Sequence, residues 1–466
     1  MSWFCVHFFN IAPIMRIAVE DYKNIKKYYE QEVERLTKAN NLKDARKMQV
    51  KLELYLKSKK ELIEFLVRNN ILPKYGFPVD TVELYPNMND SDDNNVQMVR
   101  DLQMAVSEYA PDAQVVADGK MYTSRYIRRL PQSTGEYWET VYIAQCDNPS
   151  CKIWNYRPIK PDDKEEVCVS CKQPIKKEHW KAAIEPRKGF IAQKLPDNVP
   201  MHKPEKIYRS DDFYIGDTQR NVIEKYAFIL KDGNKFKLET SINDSLMVVC
   251  NEDFYVCPSC GYAESVSSED EENKKDTEDK KNKKFNSHKK SIKKEHITPW
   301  DKKCNDSLRK YKLCHVFKTD VVNIIFATER ANDQKVMISV MYALLEGLSS
   351  VMDIERNDIK GCLHKINYNG RLIYSIVLYD AVAGGAGHVR RMVSESGEEF
   401  KKVVEKAISI TKGCKCDPSC YNCLRNYYNQ RIHDLLDRKC AYEFLEDYCG
   451  DLEQITDEEF LIDRLV

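Results

Sequence analysis

Residues 414–423 read Cys414-Lys-Cys416-Asp-Pro-Ser-Cys420-Tyr-Asn-Cys423 and place four thiols within ten positions. These short spacings, closed by a Cys-x-x-Cys pair, suit the chelate loops around a tetrahedral zinc ion. A disulfide pair or free surface thiols are the alternatives. A reducing cell interior disfavours the disulfide, and four free thiols this close would oxidise readily. We therefore predict a structural zinc knuckle in which all four cysteines are ligands.

The sequence on both sides of the knuckle adds to this pattern. A glycine-rich stretch, LYDAVAGGAGH, occupies 378–388, Arg425 follows the last cysteine, and Leu-Asp-Arg stands at 436–438. In this order the features resemble the MrfA-like zinc-binding domain, which is found at the C-terminus of many bacterial superfamily 2 DNA helicases and in DrmB, the helicase-partner subunit of DISARM phage-defence systems. The resemblance runs from about residue 72 to 445. It implies a superfamily 2 helicase partner, DNA, and a role in DNA repair or phage defence.

Length and composition set broad limits. A chain of 466 residues can hold two to four domains, each with its own core. Its 73 basic and 73 acidic residues cancel, so affinity for nucleic acid would have to come from local patches. Of the 17 cysteines, twelve fall into three clusters with metal-type spacing, which favours a reducing compartment and hence a cytoplasmic protein.

The N-terminal part, 1–71, reads as a helical segment. Its first residues are apolar but lack the basic region and cleavage site of a signal peptide, and they are too few for the roughly 20 that span a bilayer. A buried strand or helix end is the simpler interpretation, and the abrupt start leads us to expect upstream sequence. From 21 to 69 apolar residues recur every three or four positions, interrupted at Asn40-Asn41. This pattern predicts a helical hairpin that docks on a partner.

The next region, 72–264, reads as β-rich. Prolines at 73 and 78 oppose a helix, and 137–145 has strand composition. That strand leads into two cysteine pairs separated by a polar excursion, the arrangement of a zinc ribbon. The ligands predicted for this first ribbon are Cys146, Cys151, Cys168 and Cys171.

A second ribbon begins with Cys257 and Cys260. Cys304 and Cys314 are the best second half, although His315 or Cys250 could replace one of them. Residues 265–303, between the halves, form an acidic and then a basic run with almost no apolar residues. Such a segment cannot offset the entropy of ordering, so we predict a disordered charged loop.

Beyond the second ribbon the pattern changes to buried strands at 321–326 and 372–379 around an amphipathic helix at 333–349. This predicts a small α/β layer over 304–400, followed by a helical zinc module over 401–466. The fold class is therefore α+β and multidomain, with an N-terminal helical hairpin, a β-rich ribbon region, an α/β layer and a C-terminal helical zinc knuckle. Two to three structural zinc ions are expected.

Basic residues mark candidate DNA contacts in two places. Around 122–129, aromatic and basic side chains interleave, a composition suited to stacking on bases and pairing with phosphates, although a solvated strand edge gives the same pattern. The glycine loop ends a strand and precedes two arginines, which favours a phosphate contact or, equally, a structural turn. The predicted nucleic-acid-binding residues are Arg125, Arg128, Arg129, Arg390, Arg391 and Arg425.

Motifs for catalysis were not found in the sequence. It contains no Gly-x-x-x-x-Gly-Lys-Ser/Thr loop and no acidic magnesium box with an arginine finger, so we expect the chain alone not to hydrolyse ATP. Four-cysteine zinc sites have no open position for a reactive water. A nuclease would need clustered carboxylates, for which Asp380, Glu329 and Asp353 are only loose candidates.

Three hypotheses follow. The first is a non-catalytic zinc-binding accessory protein of a superfamily 2 DNA helicase, which contacts DNA or the motor. The second is an enzyme: either the C-terminal fragment of an ATP-dependent helicase or a cryptic nuclease. The third is a scaffold in which zinc only replaces a missing core.

Overall fold

The structure is a computed structural model. It describes scattered positions between 26 and 49, then residues 80–86, 96–129, 138–158, 160–161, 166–194, 196–198, 208–216, 222–229, 235–266, 291–381, 385–393, 398–449 and 453–454. The predicted N-terminal hairpin lies largely outside these residues, although the described positions from Lys26 to Gln49 are helical. Most of the predicted charged loop, 267–290, also lies outside them.

The described part contains both helices and strands, and strands predominate. The α-helices are α1 Leu102–Glu108, α2 Gln334–Met352, α3 His388–Arg391, α4 Glu398–Gly413 and α5 Arg438–Cys449. Short 3-10 helices occupy Lys177–His179, Glu329–Asn332, Arg356–Asp358 and Gln430–Leu435. The strands are β1 Thr81–Tyr85, β2 Val99–Asp101, β3 Gln114–Ala117, β4 Lys120–Ile127, β5 Glu139–Gln145, β6 Trp154–Arg157, β7 Glu166–Val167, β8 Pro174–Ile175, β9 Lys181–Glu185, β10 Phe190–Ala192, β11 Asp197–Asn198, β12 Ser210–Tyr214, β13 Val222–Ile229, β14 Lys235–Val256, β15 Ala263–Ser265, β16 Ser291–Lys293, β17 His296–Ile297, β18 Lys303–Cys304, β19 Ser307–Phe326, β20 Ile359–Tyr368, β21 Arg371–Asp380 and β22 Glu453–Gln454. The chain is therefore α+β, as predicted.

The chain divides into two compact units that are interleaved in sequence. The first unit comprises 1–140, 182–211 and 249–315, and the second comprises 141–181, 212–248 and 316–466. The long strands β14 and β19 each contribute residues to both units. The predicted linear domains at 72–264 and 304–400 therefore do not correspond to compact bodies, because the chain leaves each unit and returns to it.

The first unit is built on a sheet in the order β11-β4-β10-β1-β2, with β3 also paired to β4. β1 and β10 run parallel, with Leu84 opposite Phe190, and the other pairs are antiparallel. Phe190 is fully buried and its ring meets Tyr109 edge-on at 6.2 Å. β4, which carries Tyr122, Arg125 and Tyr126 of the predicted aromatic and basic residues, lies inside this sheet and is mostly buried.

The second unit packs helices on an antiparallel sheet. β21 pairs with both β19 and β20, with Val322 opposite Leu378. Asp333 begins α2, because its carboxylate accepts the backbone N–H groups of Lys335 and Val336, and a left-handed Asp353 ends it. Phe236 stacks between the rings of Phe326 and Phe400 at 4.8 and 5.2 Å. This aromatic stack joins strands and helices into one core.

Helix α2 has the length and apolar composition that would suffice to cross a membrane. Most of that apolar surface is buried among α4, α5 and the sheet. Its hydrophobicity is thus accounted for by core packing.

Two predicted boundaries need correction. The division at 400/401 cuts through one body, since α4 begins at Glu398 and packs in the same core as α2. The disordered loop was predicted to extend to residue 303, which is too far. Residues 291–303 form β16, β17 and the start of β18, because backbone pairing to β19 and within a short hairpin orders them despite their charge.

Candidate metal centres

The four knuckle thiols lie close together in the second unit. The sulfur of Cys414 is 3.3 Å from that of Cys416 and 3.6 Å from that of Cys420. Cys423 closes the set, at 3.6 Å from Cys416 and 4.0 Å from Cys420. Four sulfurs that each bond a tetrahedral zinc at about 2.3 Å lie about 3.8 Å apart, whereas a disulfide needs about 2.05 Å. The observed spacing fits zinc and excludes a disulfide between these pairs.

Residues after the knuckle fix it to the core. Arg438 donates from Nε to the carbonyl of Cys416 at 2.5 Å and from its guanidinium to the carbonyl of Thr411 at 3.3 Å. Asp437 accepts N–H groups at the start of α5 and pairs with Lys335 at 3.0 Å. Burial opposes the charge of Asp437, but the hydrogen bond from Lys335 and these N–H groups outweigh it and lower the pKa of the carboxyl. The Leu-Asp-Arg motif is thus the clamp that holds the knuckle.

The loop between the knuckle and this clamp is organised by Asn429, which is buried. Its amide donates to the carbonyl of Leu424 at 2.8 Å, while its oxygen accepts the N–H of Asn426 at 2.8 Å and lies 2.9 Å from Nε2 of His433. Leu424 itself is fully buried in the core of the second unit. The knuckle is therefore continuous with that core.

The first ribbon also brings its four predicted cysteines together in the second unit. Their ligand atoms all lie within 4.8 Å of one another, with Cys146 and Cys171 at 3.5 Å and Cys151 and Cys168 at 3.8 Å. Asn155 on β6, which the sequence reasoning missed, supports the site. Its oxygen accepts the N–H of Val169 at 2.9 Å, and its amide lies 3.7 Å from the sulfur of Cys168.

The second cluster, in the first unit, has a different fourth member from the one predicted. Cys257, Cys260 and Cys304 are joined by His296, with all four ligand atoms within 4.8 Å of one another. Nδ1 of His296 lies 2.8 Å from the carbonyl of Lys294, which assigns its proton to that nitrogen and leaves the Nε2 lone pair for a ligand. Nε2 is buried and has no hydrogen-bond partner in the described part of the chain. A buried imidazole nitrogen without a partner, beside three thiols, is the donor set of a Cys3His zinc site.

The backbone brings the two halves of this cluster together. The zinc-binding turn after Cys257 ends at Gly261, which has φ +82° and lies so close to β4 that a Cβ would be 2.3 Å from the carbonyl of Ile127. Only glycine fits this position. The ring of Tyr262 then stacks on His296 at 4.7 Å.

The prediction that Cys314 is the fourth ligand is therefore wrong. Cys314 is fully buried outside the cluster, and burial raises the pKa of its thiol. The alternatives also fail: Cys250 is buried outside the cluster, and Nδ1 of His315 lies 2.6 Å from the carboxylate of Glu185. Cys314 lies on β19, which begins at Ser307, and the extended backbone of this strand carries the chain away from Cys304.

Each cluster contains one thiol that ionises easily. Hydrogen bonds from a neighbouring thiol lower the pKa of Cys168 to about 4 and that of Cys257 to about 5, and the backbone N–H of Cys416 lowers the pKa of Cys414 to about 7. Thiolates are the form that binds zinc. Spacing and donor type therefore fit structural zinc in the three clusters.

The predicted basic residues on and after β4 are largely engaged within the first unit. Arg125 forms an ion pair with Asp112 at 2.5 Å, and the guanidinium of Arg128 lies 4.1 Å from the ring centroid of Tyr85. Arg129 donates to the carbonyl of Pro258 at 2.8 Å. These arginines hold contacts within the first unit, and their role in nucleic-acid binding stays a prediction.

The predicted basic residues of the second unit differ in their surroundings. Arg390 lies 3.7 Å from the carboxylate of Asp320, and Arg425 donates to the hydroxyl of Ser419 at 2.9 Å. Arg391 is exposed. The carboxylate of Asp380, a loose nuclease candidate, is buried and accepts the N–H groups of Ala386, His388 and Val389. Asp380 thus shapes the glycine loop. Among the described residues, it belongs to no group of carboxylates, histidines or cysteines that could hold a metal ion.

Comparison with known proteins gives three similarities. Residues 340–424 match the family model of the MrfA Zn-binding domain. Over 426 residues the chain is 21% identical to the Druantia protein DruE of Escherichia coli (strain UMEA 4076-1), which covers 83% of this chain and 22% of DruE. A solved structure described as the crystal structure of the DUF1998 helicase MrfA bound to DNA covers 79% of this chain and 33% of its own, at 12% identity and a TM-score of 0.35.

The chain thus spans 22% of the length of the curated relative it matches. The matched family segment contains α2 from Val340 onward, β20, β21, α3, α4 and all four knuckle cysteines, so it joins part of the predicted layer to the knuckle. The resemblance read from the cysteines and the glycine loop is confirmed over residues 340–424, which match the MrfA Zn-binding domain.

Proposed function

We propose that this protein is a non-catalytic zinc-binding accessory component of a superfamily 2 DNA helicase and that it contacts DNA or the motor. The observation that carries the proposal is the MrfA Zn-binding domain at 340–424, whose four thiols converge as a zinc set. In this function zinc holds a surface in shape, and the motor supplies ATP hydrolysis. DNA repair or phage defence in the cytoplasm is the process we propose for it.

The donor sets support a structural role for zinc. Each cluster offers four protein ligands, so a tetrahedral ion would be fully coordinated and would have no open position for an activated water. The sequence also lacks a phosphate-binding loop. We therefore propose that the chain alone turns over no nucleotide.

DNA binding by the purified, zinc-loaded chain tests the DNA contact. Fluorescence anisotropy with a labelled 30-nucleotide strand and its duplex at 50 and 200 mM salt should show binding that weakens as salt increases. No binding at 50 mM salt would refute the DNA contact, and ATP turnover without a partner would refute the accessory role. Arg391→Ala is a cleaner probe than changes at Arg390 or Arg425, because those two side chains also hold internal contacts.

A second candidate is that this region works in the same polypeptide as its motor, as the C-terminal part of an ATP-dependent helicase. The alignment with DruE favours it, because 83% of this chain corresponds to only 22% of that protein. Genome context separates the two candidates. A helicase gene beside this one supports the accessory protein, and RecA-like lobes in continuous frame support the single polypeptide. The nuclease alternative has less support, since the carboxylate of Asp380 is saturated by backbone N–H groups.

A further inference from the structure

The second cluster anchors a short hairpin whose tip carries an exposed tryptophan. β17 and β18 pair so that two members of the cluster, His296 and Cys304, lie directly opposite each other at its base. Trp300 stands at the tip and is 57% exposed, among the most exposed large apolar residues in the described part of the chain. A bulky apolar side chain held out in water on a small module is a feature of binding surfaces.

Backbone and side-chain hydrogen bonds make this tip rigid. Thr298 donates its N–H to the carbonyl of Lys302 at 2.8 Å, and its carbonyl accepts the N–H of Asp301 at 3.1 Å. The hydroxyl oxygen of Thr298 accepts the N–H groups of Trp300 and Lys302 at 3.3 and 3.1 Å. The tip is therefore pre-organised, and ordering it on binding would cost little entropy.

The first unit also holds this hairpin from the side. The hydroxyl of Tyr126 on β4 donates to the carbonyl of Ile297 at 3.1 Å, and Lys194 pairs with Asp301. At the base, the ring of Tyr262 stacks on His296. Trp300 is thus presented in a fixed position on the surface of its unit.

The charge around the tip suits an anionic polymer. Residues 291–304 contain four lysines and two acids, and both acids are paired: Glu295 with Lys303 and Asp301 with Lys194. Lys293 and Lys302 are exposed and form no ion pair with any residue that the structure describes. A rigid aromatic side chain with the exposed Lys302 in the same turn matches the stacking and phosphate contacts of single-strand binding.

We propose that the hairpin 296–304 binds single-stranded nucleic acid, with Trp300 stacked on an unpaired base and Lys302 facing a phosphate. This inference rests on the DNA contact proposed above and assigns it to a surface in the first unit. A duplex hides its base faces, so it offers Trp300 nothing to stack on. The hairpin therefore distinguishes unpaired strands from paired ones.

The test uses the zinc-loaded full chain and a fluorescein-labelled 20-nucleotide thymidine strand, with a blunt duplex of equal length for comparison. Trp300→Ala should weaken single-strand binding about tenfold, within the range measured for loss of one stacked base, and should leave duplex binding unchanged. Trp300→Phe should stay within about threefold of the wild type, since it keeps a ring. Lys302→Ala should reduce by about one the slope of the logarithm of the binding constant against the logarithm of the salt concentration.

Controls separate this surface from the rest of the protein. Tyr421→Ala removes a knuckle side chain that is 64% exposed and should leave single-strand affinity unchanged. Trp300→Ala should keep its full zinc content and melting temperature, since Trp300 belongs to no cluster. Wild-type binding with unchanged affinity in Trp300→Ala would overturn the inference alone. Absence of wild-type binding would overturn the proposed DNA contact and this inference with it.

Discussion

His296 supplies the nitrogen donor of the second cluster, so its removal should cost one zinc ion and no other. Elemental analysis of His296→Ala should find two zinc ions per chain where the wild type has three, because the other clusters lie in the second unit. Cys314→Ala is the matched control and should keep all three. If instead Cys314→Ala lost the metal, the histidine assignment would be wrong.

The carboxylate of Asp320 should make folding stability depend on pH. Burial raises its pKa to about 6, the neighbouring charge of Asp380 adds to the rise, and Arg390 opposes it. The folded form holds the proton more tightly than the unfolded chain, so the protonated carboxyl stabilises the fold at low pH. This stabilisation is lost progressively from about pH 4 to pH 6 and is absent above that. A shift of two pKa units corresponds to at most about 3 kcal/mol.

Asp320→Asn should remove this loss, so the melting temperature should vary less between pH 4 and pH 7 than in the wild type. The weak contact to Arg390, at 3.7 Å, offsets little of the gain. Asp380→Asn should instead lower the melting temperature at neutral pH, because an amide oxygen is a weaker acceptor than the carboxylate for the three N–H groups. Equal pH profiles for wild type and Asp320→Asn would contradict the prediction.

At single positions, the sequence pointed to the cysteines that the structure brings together and missed His296, which joins three of them. Cysteines at Cys-x-x-Cys spacing indicate a metal site, because both ligands lie on one short turn of the chain. His296 stands in a charged run that resembles a linker, and its role depends on the pairing of β17 with β18. The signal that could have found it is Thr-Pro-Trp-Asp, a turn placed between His296 and Cys304.

Among the elements, α2 and α4 depend on Gly347 for their close approach. A Cβ at this position would lie 2.5 Å from the backbone carbonyl of Val403 and 3.2 Å from the side chain of Ala407. Gly347→Ala must therefore push the helices apart, and we expect a loss of roughly 2 kcal/mol or more in the free energy of unfolding. Urea denaturation followed by circular dichroism measures this.

Gly413, the last residue of α4, is the matched control. No atom lies within 4 Å of a Cβ built there, and its φ is not in the left-handed region. Gly413→Ala should therefore be neutral or slightly stabilising, since alanine lowers the entropy of the unfolded chain. A similar loss in both variants would contradict the prediction, because it would show that the effect does not come from the contact between the helices.

Elements with strong local patterns were predicted closely, and those set by long-range pairing were not. The helix expected at 333–349 is α2, Gln334–Met352, because its apolar period and Asp333 cap are local. The strand expected at 321–326 is only the end of β19, which begins at Ser307. The earlier part, SLRKYKLCH, has too many charges to read as a strand, yet pairing with β9 and β16 extends it.

For the whole molecule, a linear reading of the sequence could not give the domains. Three segments make each unit, and the chain passes between units along β14 and β19. No composition change marks these crossings, since a strand in the middle of its length looks the same on either side. The cysteine groups were nevertheless recognisable in the sequence, because each contains at least one pair of closely spaced cysteines.

The two units should respond separately to loss of zinc. Cys416 and Cys304 are both half-buried members of their clusters, one in each unit, so replacing either with serine removes a ligand at a similar packing cost. Structural zinc contributes about 10–16 kcal/mol in small peptides, as much as the roughly 5–15 kcal/mol that stabilises a whole domain. Losing it should therefore open the unit that holds it.

Amide hydrogen exchange locates that opening. Cys416→Ser should speed exchange at least tenfold in α2 and α4, because the buried Cys423 and Leu424 belong to their core, and should leave β16 to β18 protected. Cys304→Ser should reverse the pattern. Faster exchange in both units from either change would show that the units fold as one body, and unchanged exchange would show that zinc does not stabilise them.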